Sequence, residues 1–151
     1  MLDETKKVAL VLGGGKLTQC LIRECQINKI NFIIIALSEF YELANDNKPD
    51  YLVSYDNLGN IFSILRSRKI NSVMFLGSFK KKPLLKLRPN ILTLYYIIRI
   101  LFYYNKGDSL LLNKIMKIFT KKGYEVLDSR IFLKKYLATD AYNNIENFNE
   151  I

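Results

Sequence analysis

Histidine is absent from this sequence of 151 residues, and cysteine occurs only twice. Without histidine, the chain has neither the commonest general base nor the base that usually activates a serine or cysteine nucleophile. The two thiols, Cys20 and Cys25, provide at most two of the four ligands that a structural zinc ion requires. The acidic residues are scattered, and their spacing suggests neither a carboxylate pair nor a metal cage. The composition therefore favours binding over catalysis, and we predict no catalytic residue and no metal ligand in this chain.

The sequence also lacks an export signal and a long apolar segment. Its first residues, MLDETKK, are charged and lack the apolar run and cleavage site of a signal peptide. The most apolar long stretch, 91–104, is shorter than a transmembrane helix and contains Arg99. We therefore expect a buried helix at 91–104 and a cytoplasmic protein whose two cysteines are reduced, apolar core residues.

Acidic residues are missing from the whole central third of the chain. The net charge is +9, and no acid stands between Asp56 and Asp108. The same interval contains ten basic residues: Arg66, Arg68, Lys69, Lys80, Lys81, Lys82, Lys86, Arg88, Arg99 and Lys106. Such a one-signed segment predicts a polyanionic neighbour, and phosphorylated ligands, nucleic acids and anionic membrane faces all fit.

What the sequence does contain is a regular alternation of short apolar β-type runs with helical periodicities. The predicted strands are 7–12, 31–37, 51–54, 72–77 and 124–127, and the predicted helices are 16–27, 58–68, 91–104 and about 108–122. Strands that alternate with helices of this length form βαβ units with parallel pairing. We therefore predict an α/β fold, a Rossmann-like and mostly parallel sheet flanked by helices, in a single domain.

This domain is expected to comprise residues 1–138. The segment 139–151, TDAYNNIENFNEI, has three acids, no base and four asparagines, which is typical of a linker or a frayed tail. Side chains that can accept a hydrogen bond from a helix N-terminus precede several of the helices. The candidate N-caps are Asp56 or Asn57 for the second helix, Asn90 for the third, Asp108 for the fourth and Asp128 for a final short one.

A glycine turn follows the first predicted strand. In an open α/β sheet this position faces ligands, and the free amides at the start of the next helix attract anions. The turn is not a dinucleotide fingerprint, because Thr18 stands where a third glycine is needed, and it is not a P-loop, because Leu17 follows the lysine. Two interpretations stay open, a tight turn without a ligand or a contact with a phosphate. The four candidate residues are Gly13, Gly14, Gly15 and Lys16.

A basic segment, GSFKKKPLLKLRPN at 77–90, follows the fourth predicted strand. It combines five basic residues and no acid with two prolines that restrict its path. In a parallel sheet its first residue lies at the same edge as the glycine turn. The alternative is a run of charges that is simply solvated. The residues predicted to form the wall opposite the glycine turn are Gly77, Lys80, Lys82 and Arg88.

Four blocks of this sequence, in the same order, resemble the N-terminal domain of the LpxI-type UDP-2,3-diacylglucosamine pyrophosphatases. The blocks are VALVLGGGKLTQCLIREC, LGNIFSILRSRKINSVMFLGSFKKKPLLKLRPN, KGDSLLLNKIMKIFTKKGYEVLD and IFLKKYLA. The resemblance extends from residue 6 to about 138. The chain has Thr18 where the family usually has proline, Lys82 where it has arginine, and Ser109 where it has a second aspartate.

The resemblance implies a domain of a hydrolase of lipid A biosynthesis, which cleaves the diphosphate of UDP-2,3-diacylglucosamine into UMP and 2,3-diacylglucosamine 1-phosphate. In that family a second domain supplies the catalytic aspartate and the chemistry of a divalent metal, Mg²⁺ or Mn²⁺. We therefore expect a substrate-binding half, split or truncated and inactive alone, with a separate partner chain as one source of the catalytic domain. The lipid substrate implies a position at the inner face of the cytoplasmic membrane.

Two other functions fit the charge. One is a basic nucleic-acid-binding module, which is disfavoured because the aromatic residues cluster in apolar helices and not among the lysines, where a base-stacking surface requires them. The other is a stand-alone interaction or regulatory domain, peripheral to an anionic membrane through its basic edge.

Overall fold

Short apolar strands form the centre of the structure. The computed structural model describes residues 6–38, 48–77, 88–104, 108–134 and 136. Its strands are β1 Val8–Leu12, β2 Phe32–Leu37, β3 Tyr51–Val53, β4 Ser72–Leu76 and β5 Glu125–Leu127. Its α-helices are α1 Leu17–Ile27, α2 Asn60–Ser67, α3 Ile91–Tyr104 and α4 Asp108–Lys121. A 3₁₀ turn, Tyr55–Asn57, precedes α2, and residues 130–134 are helical.

The central strand is β1, since all of its residues are buried and it pairs on both sides. The sheet order is β3-β2-β1-β4-β5, and the pairings between these strands are parallel. In register, Val8 stands opposite Phe32 on one neighbour and Ser72 on the other. The chain thus runs outward from β1 to β3 and returns to the other side of β1 as β4. The predicted α/β fold, a Rossmann-like parallel sheet with flanking helices, is confirmed.

Two apolar cores lie on opposite faces of this sheet, because successive strand residues point to opposite sides. On one face, Ala9, Val11 and Ile35 pack with α2 and with the aromatic rings of Tyr96 and Phe119. On the other face, Val8, Leu10, Leu12, Ile34 and Met74 pack with α1 and with Leu133. The apolar runs of β1 and β2 are therefore covered on both faces, as parallel strands require.

The prediction of a buried helix at 91–104 holds for only a few of the side chains that the structure describes there, since most of them are exposed. Ile91 is 89% exposed, whereas Thr93 is 1% and Tyr96 is 9% exposed. The main contacts of α3 are with α4 and with the 3₁₀ turn. The sheet face beneath is already covered, because Phe62 of α2 and Phe119 of α4 lie 4.6 Å apart, centroid to centroid. As a result, α3 has only a narrow strip of its surface to bury.

The structure confirms two of the predicted helix caps. Asn90 caps α3, since its Oδ1 accepts a hydrogen bond from the Thr93 amide at 2.8 Å. Asp128 accepts the Arg130 amide at 3.0 Å, as predicted for a final helical segment. The predicted tail at 139–151 and the predicted site residues Lys80 and Lys82 lie outside the described residues. Among the helices of the described part, none has both the length and the apolar character needed to cross a membrane.

Candidate functional site

The candidate site lies at the edge of the sheet where the parallel strands end, here called the carboxyl edge. The strand order reverses between β1 and β4, and open α/β sheets bind ligands at such a switch point. The Gly13 amide donates a hydrogen bond to the Leu76 carbonyl at 2.9 Å, which continues the pairing of β1 with β4 by one residue. The ends of these two strands are therefore joined through their backbones at the switch point.

A glycine contact closes this junction. Gly77 has a φ of +112°, a backbone conformation that residues with a side chain rarely adopt. A Cβ atom on Gly77 would lie 2.8 Å from the carbonyl carbon and 2.9 Å from the Cα of Gly13, so a larger residue does not fit. We call Gly13, Gly14, Gly15 and Gly77 the glycine corner. The structure confirms that the glycine turn and Gly77 share one edge, and their contact with a ligand stays a prediction.

The start of α1 adds positive potential to the glycine corner. Gly15, with a φ of +115°, and Lys16 are both exposed and precede the first helical residue, Leu17. Within the described part of the chain, no side chain caps this helix, and its first turn contains no acid. The Thr18 and Gln19 amides donate to the Gly15 and Lys16 carbonyls at 3.3 and 3.2 Å, so this end of α1 attracts an anion through the positive end of the helix dipole. An anion is the complementary ligand for this end of α1.

Thr18 stabilises the turn from within. It is 4% exposed, and its hydroxyl donates a hydrogen bond to the Gly15 carbonyl at 2.6 Å. Proline, which the family resemblance leads one to expect here, has no hydroxyl to make this bond. The substitution is therefore compatible with the same turn and leaves the exposed side of Gly15 and Lys16 unobstructed.

A second set of contacts fixes the β3 end of the carboxyl edge. The carboxylate of Asp56 accepts the Arg88 amide at 3.0 Å, and the Asp56 carbonyl accepts the Asn90 amide at 3.1 Å. Asn57 Oδ1 accepts a hydrogen bond from Asn90 Nδ2 at 3.0 Å. The buried amide of Gly59 donates to the Thr93 hydroxyl at 2.9 Å. We call this set, Asp56, Asn57, Gly59, Asn90 and Thr93, the polar clasp.

The polar clasp corrects the prediction that Asp56 or Asn57 caps the second helix. The N-cap residue of α2 is Gly59, which has no side chain with which to cap the helix. Asp56 and Asn57 instead bind the chain that enters α3, at Arg88 and Asn90, which are 32 and 33 positions later in the sequence. Their carboxylate and amide groups therefore join two segments rather than complete one helix.

Arg88 lies at the clasp and not at the glycine corner. Its side chain is exposed, and its backbone is held by Asp56, just beyond the end of β3. In the sheet, β2 and β1 separate β3 from β4, which at the usual strand spacing is about 14 Å. Gly77 and Arg88, predicted as parts of one wall, thus belong to the same edge but to opposite ends of it.

A shallow cavity of about 520 Å³ opens at the β3 end of this edge. Its polar lining consists of hydroxyls and amides from the ends of β2 and β3 and the first turns of α2, without a charged group: Ser38, Ser54, Asn57, Asn60 and Ser63. The sequence analysis did not assign these residues to a ligand site. The usable signal was the serine directly after each of two strands, Ser38 after β2 and Ser54 after β3.

Catalytic groups are not gathered at this edge within the described part of the chain. No cluster of three or more His, Cys, Asp or Glu residues there could hold a metal ion. Burial, together with the neighbouring Glu24 carboxylate, raises the pKa of the Cys25 thiol to about 11, so this thiol is not a nucleophile at neutral pH.

Comparisons with known proteins relate this chain to one family. A model of the LpxI N-terminal domain matches residues 7–136. The UDP-2,3-diacylglucosamine pyrophosphatase LpxI of Caulobacter vibrioides is 28% identical over 121 residues. The matched stretch is 80% of this chain but 43% of that protein, so the chain spans less than half the length of this relative.

Proposed function

Because this chain belongs to the LpxI N-terminal domain family, we propose that it binds the diphosphate of UDP-2,3-diacylglucosamine at the glycine corner. The observation that carries the proposal is the contact of Gly77 with Gly13 at the switch point between β1 and β4. Beside this junction Gly15 is exposed and a Cβ there would meet nothing within 4 Å, which leaves room for a diphosphate to approach the backbone closely. The relative from Caulobacter vibrioides is named for this substrate, which supports the choice of ligand.

The charge at the glycine corner supports a diphosphate over a neutral ligand. The uncapped start of α1 and the exposed Lys16 both favour an anion there. The basic segment that follows Gly77 includes Lys80 and Lys82, whose contribution is a prediction from sequence alone. Arg88, at the clasp, extends the positive potential along the carboxyl edge, where it would attract the ligand before contact.

The neutral cavity supports a nucleoside next to that diphosphate. It adjoins the ends of β2 and β3, and β2 is the direct neighbour of β1 in the sheet. Uracil and ribose are uncharged and offer several donors and acceptors, which hydroxyls and amides such as those of Ser63 and Asn60 complement. In this arrangement the diphosphate lies at the glycine corner and the uridine lies toward β3.

The proposed role is that of a substrate-binding half without catalytic groups of its own. The described residues do not fit a metal ion, because they bring together no cluster of three possible ligands. We therefore assign the carboxylate and the Mg²⁺ or Mn²⁺ of a complete pyrophosphatase to a separate domain or chain. Together the two parts would release UMP and 2,3-diacylglucosamine 1-phosphate.

Calorimetric titration of the purified chain with UDP tests the binding site. UDP should bind more tightly than uridine, and Lys16→Ala should weaken UDP about fivefold, the equivalent of about 1 kcal/mol for a charge at a helix N-terminus. Lys117→Ala, an exposed lysine on α4, is the matched control and should leave the affinity unchanged. Equal affinities for UDP and uridine would contradict the proposal.

Two further measurements separate the proposal from its alternatives. Incubation of the chain alone with the lipid-linked nucleotide and Mn²⁺ should release no UMP, and measurable release would show that catalytic groups lie within this chain. A single-stranded oligonucleotide should compete poorly with UDP. Tight oligonucleotide binding that weakens steeply with salt would instead favour a nucleic-acid-binding module.

A further inference from the structure

A stripe of apolar side chains faces solvent on α3. Ile91 is 89%, Leu94 is 44%, Tyr95 is 51% and Ile98 is 58% exposed. These residues follow the spacing i, i+3, i+4 and i+7, which places them on one side of the helix. We call them the α3 stripe. Thr93 and Tyr96 on the other side of the helix are buried, so α3 packs on the domain through one side and exposes apolar residues on the opposite side.

Isolated exposed apolar residues are ordinary on protein surfaces, but a contiguous set marks an interaction site. Other exposed aliphatic residues in the described part of the chain, such as Ile27 at 59% and Ile131 at 62%, belong to different elements. They provide a reference for the stripe, since each is as exposed as Ile98 without belonging to a helical row of four.

The charge around the α3 stripe points to an anionic occupant. Asp56 accepts hydrogen bonds from the Arg88 and Asn90 amides just before α3, and α3 itself contains no acid. The exposed Arg88 precedes the helix by three positions, and the sequence places Arg99 directly after Ile98. Apolar side chains on a helix flanked by basic residues are the pattern of helices that lie in the interface of an anionic bilayer.

The size of the stripe favours a bilayer over a protein partner. A stable protein interface uses roughly 20–30 residues on each side, whereas the stripe presents four in a row. A bilayer needs only a few inserted apolar side chains together with electrostatic attraction. The aromatic ring of Tyr95 also suits the headgroup level, where one end of the residue is apolar and the other is hydrated.

We propose that the α3 stripe docks this domain on an anionic lipid bilayer. Ile91, Leu94 and Ile98 would enter the region between headgroups and acyl chains, while the exposed Arg88 remains among the headgroups. Asn90, the first residue before α3, belongs to the polar clasp, so docking through the stripe brings the carboxyl edge close to the lipid surface. Docking on the bilayer is a property separate from the proposed ligand site and does not depend on UDP binding.

Vesicle sedimentation of the full chain tests the inference. The chain should partition onto vesicles of phosphatidylcholine with phosphatidylglycerol and much less onto phosphatidylcholine alone. The double variant Ile91→Ser/Ile98→Ser should bind the anionic vesicles about tenfold more weakly, because two inserted side chains are lost. Ile27→Ser/Ile131→Ser is the matched control with similar exposure and should bind like the unaltered chain. Circular dichroism melting of both variants checks that each is folded.

Two results would overturn the proposal. If the two double variants bind anionic vesicles equally, the stripe does not contact lipid and the attraction is charge alone. If light scattering finds a concentration-dependent dimer that Ile91→Ser/Ile98→Ser abolishes, the occupant of the stripe is a second copy of this chain. UDP affinity, measured on the same variants, should be unchanged, so a failure here is distinguishable from a failure of the proposed ligand site.

Discussion

The glycine corner and the polar clasp hold the two ends of the same sheet edge by opposite means. At the corner, Gly77 and Gly13 meet backbone to backbone with no side chain between them. At the clasp, Asp56, Asn57 and Thr93 bind backbone and side-chain groups of segments more than thirty residues apart. The corner therefore depends on shape, whereas the clasp depends on hydrogen bonds.

This difference decides how each end responds to change. A missing hydrogen bond can be replaced by water where the group is accessible, so the clasp has partial substitutes. The contact between the Gly77 and Gly13 backbones has no such substitute, since a Cβ added to Gly77 would lie 2.8 Å from the Gly13 carbonyl carbon and must displace the partner strand. The comparison predicts a ranking of substitutions, from the corner contact to the clasp to the exposed part of the glycine turn.

Gly77→Ala should have the largest effect. The new Cβ meets the Gly13 backbone and the residue keeps a positive φ, and together these two costs amount to about 3–5 kcal/mol of the free energy of unfolding. Urea denaturation followed by circular dichroism measures the loss. A loss below about 1 kcal/mol would mean that the two strand ends separate easily, and the contrast with the clasp would disappear.

Thr93→Val should have the next largest effect. It leaves the buried Gly59 amide without its hydroxyl acceptor, which lowers the free energy of unfolding by about 2 kcal/mol. Thr120→Val is the control, because the exposed Thr120 hydroxyl merely donates to the Met116 carbonyl in its own helix. Equal losses for the two variants in the same urea experiment would show that the bond between the Gly59 amide and the Thr93 hydroxyl stabilises the fold no more than an exposed hydroxyl does.

Gly15→Ala should have the smallest effect of the three. Nothing lies within 4 Å of a Cβ at this position, so only the positive φ is unfavourable, at about 1 kcal/mol. Gly123→Ala has the same open surroundings, with a φ of +87°, and should lose similar stability. The two differ in function, since only Gly15→Ala should weaken UDP binding. Equal UDP affinities of Gly15→Ala and Gly123→Ala would show that the glycine turn does not contact the ligand.

The sequence analysis anticipated the corner better than the clasp for a physical reason. Glycines after apolar runs are local signals, and parallel pairing brings the ends of β1 and β4 to one edge. The partners of Asp56 and Asn57 lie 32 and 33 residues away, and local capping preferences say nothing about such distances. The exposure of the α3 stripe was not predicted either. The apolar composition of 91–104 suggests burial, but it does not reveal that α2 and α4 already cover the sheet.

The contact between Gly77 and Gly13 also restricts how this domain can recover from damage. In a search for second-site revertants of Gly77→Ala, the usual route, a smaller side chain opposite the enlarged one, is closed, because Gly13 has no side chain to reduce. Recovery must come from reversion itself or from changes elsewhere that raise global stability. By contrast, a lesion in the polar clasp can be suppressed locally by exchanging donor and acceptor types. Revertant genetics would therefore map the two ends of this edge as two different kinds of position.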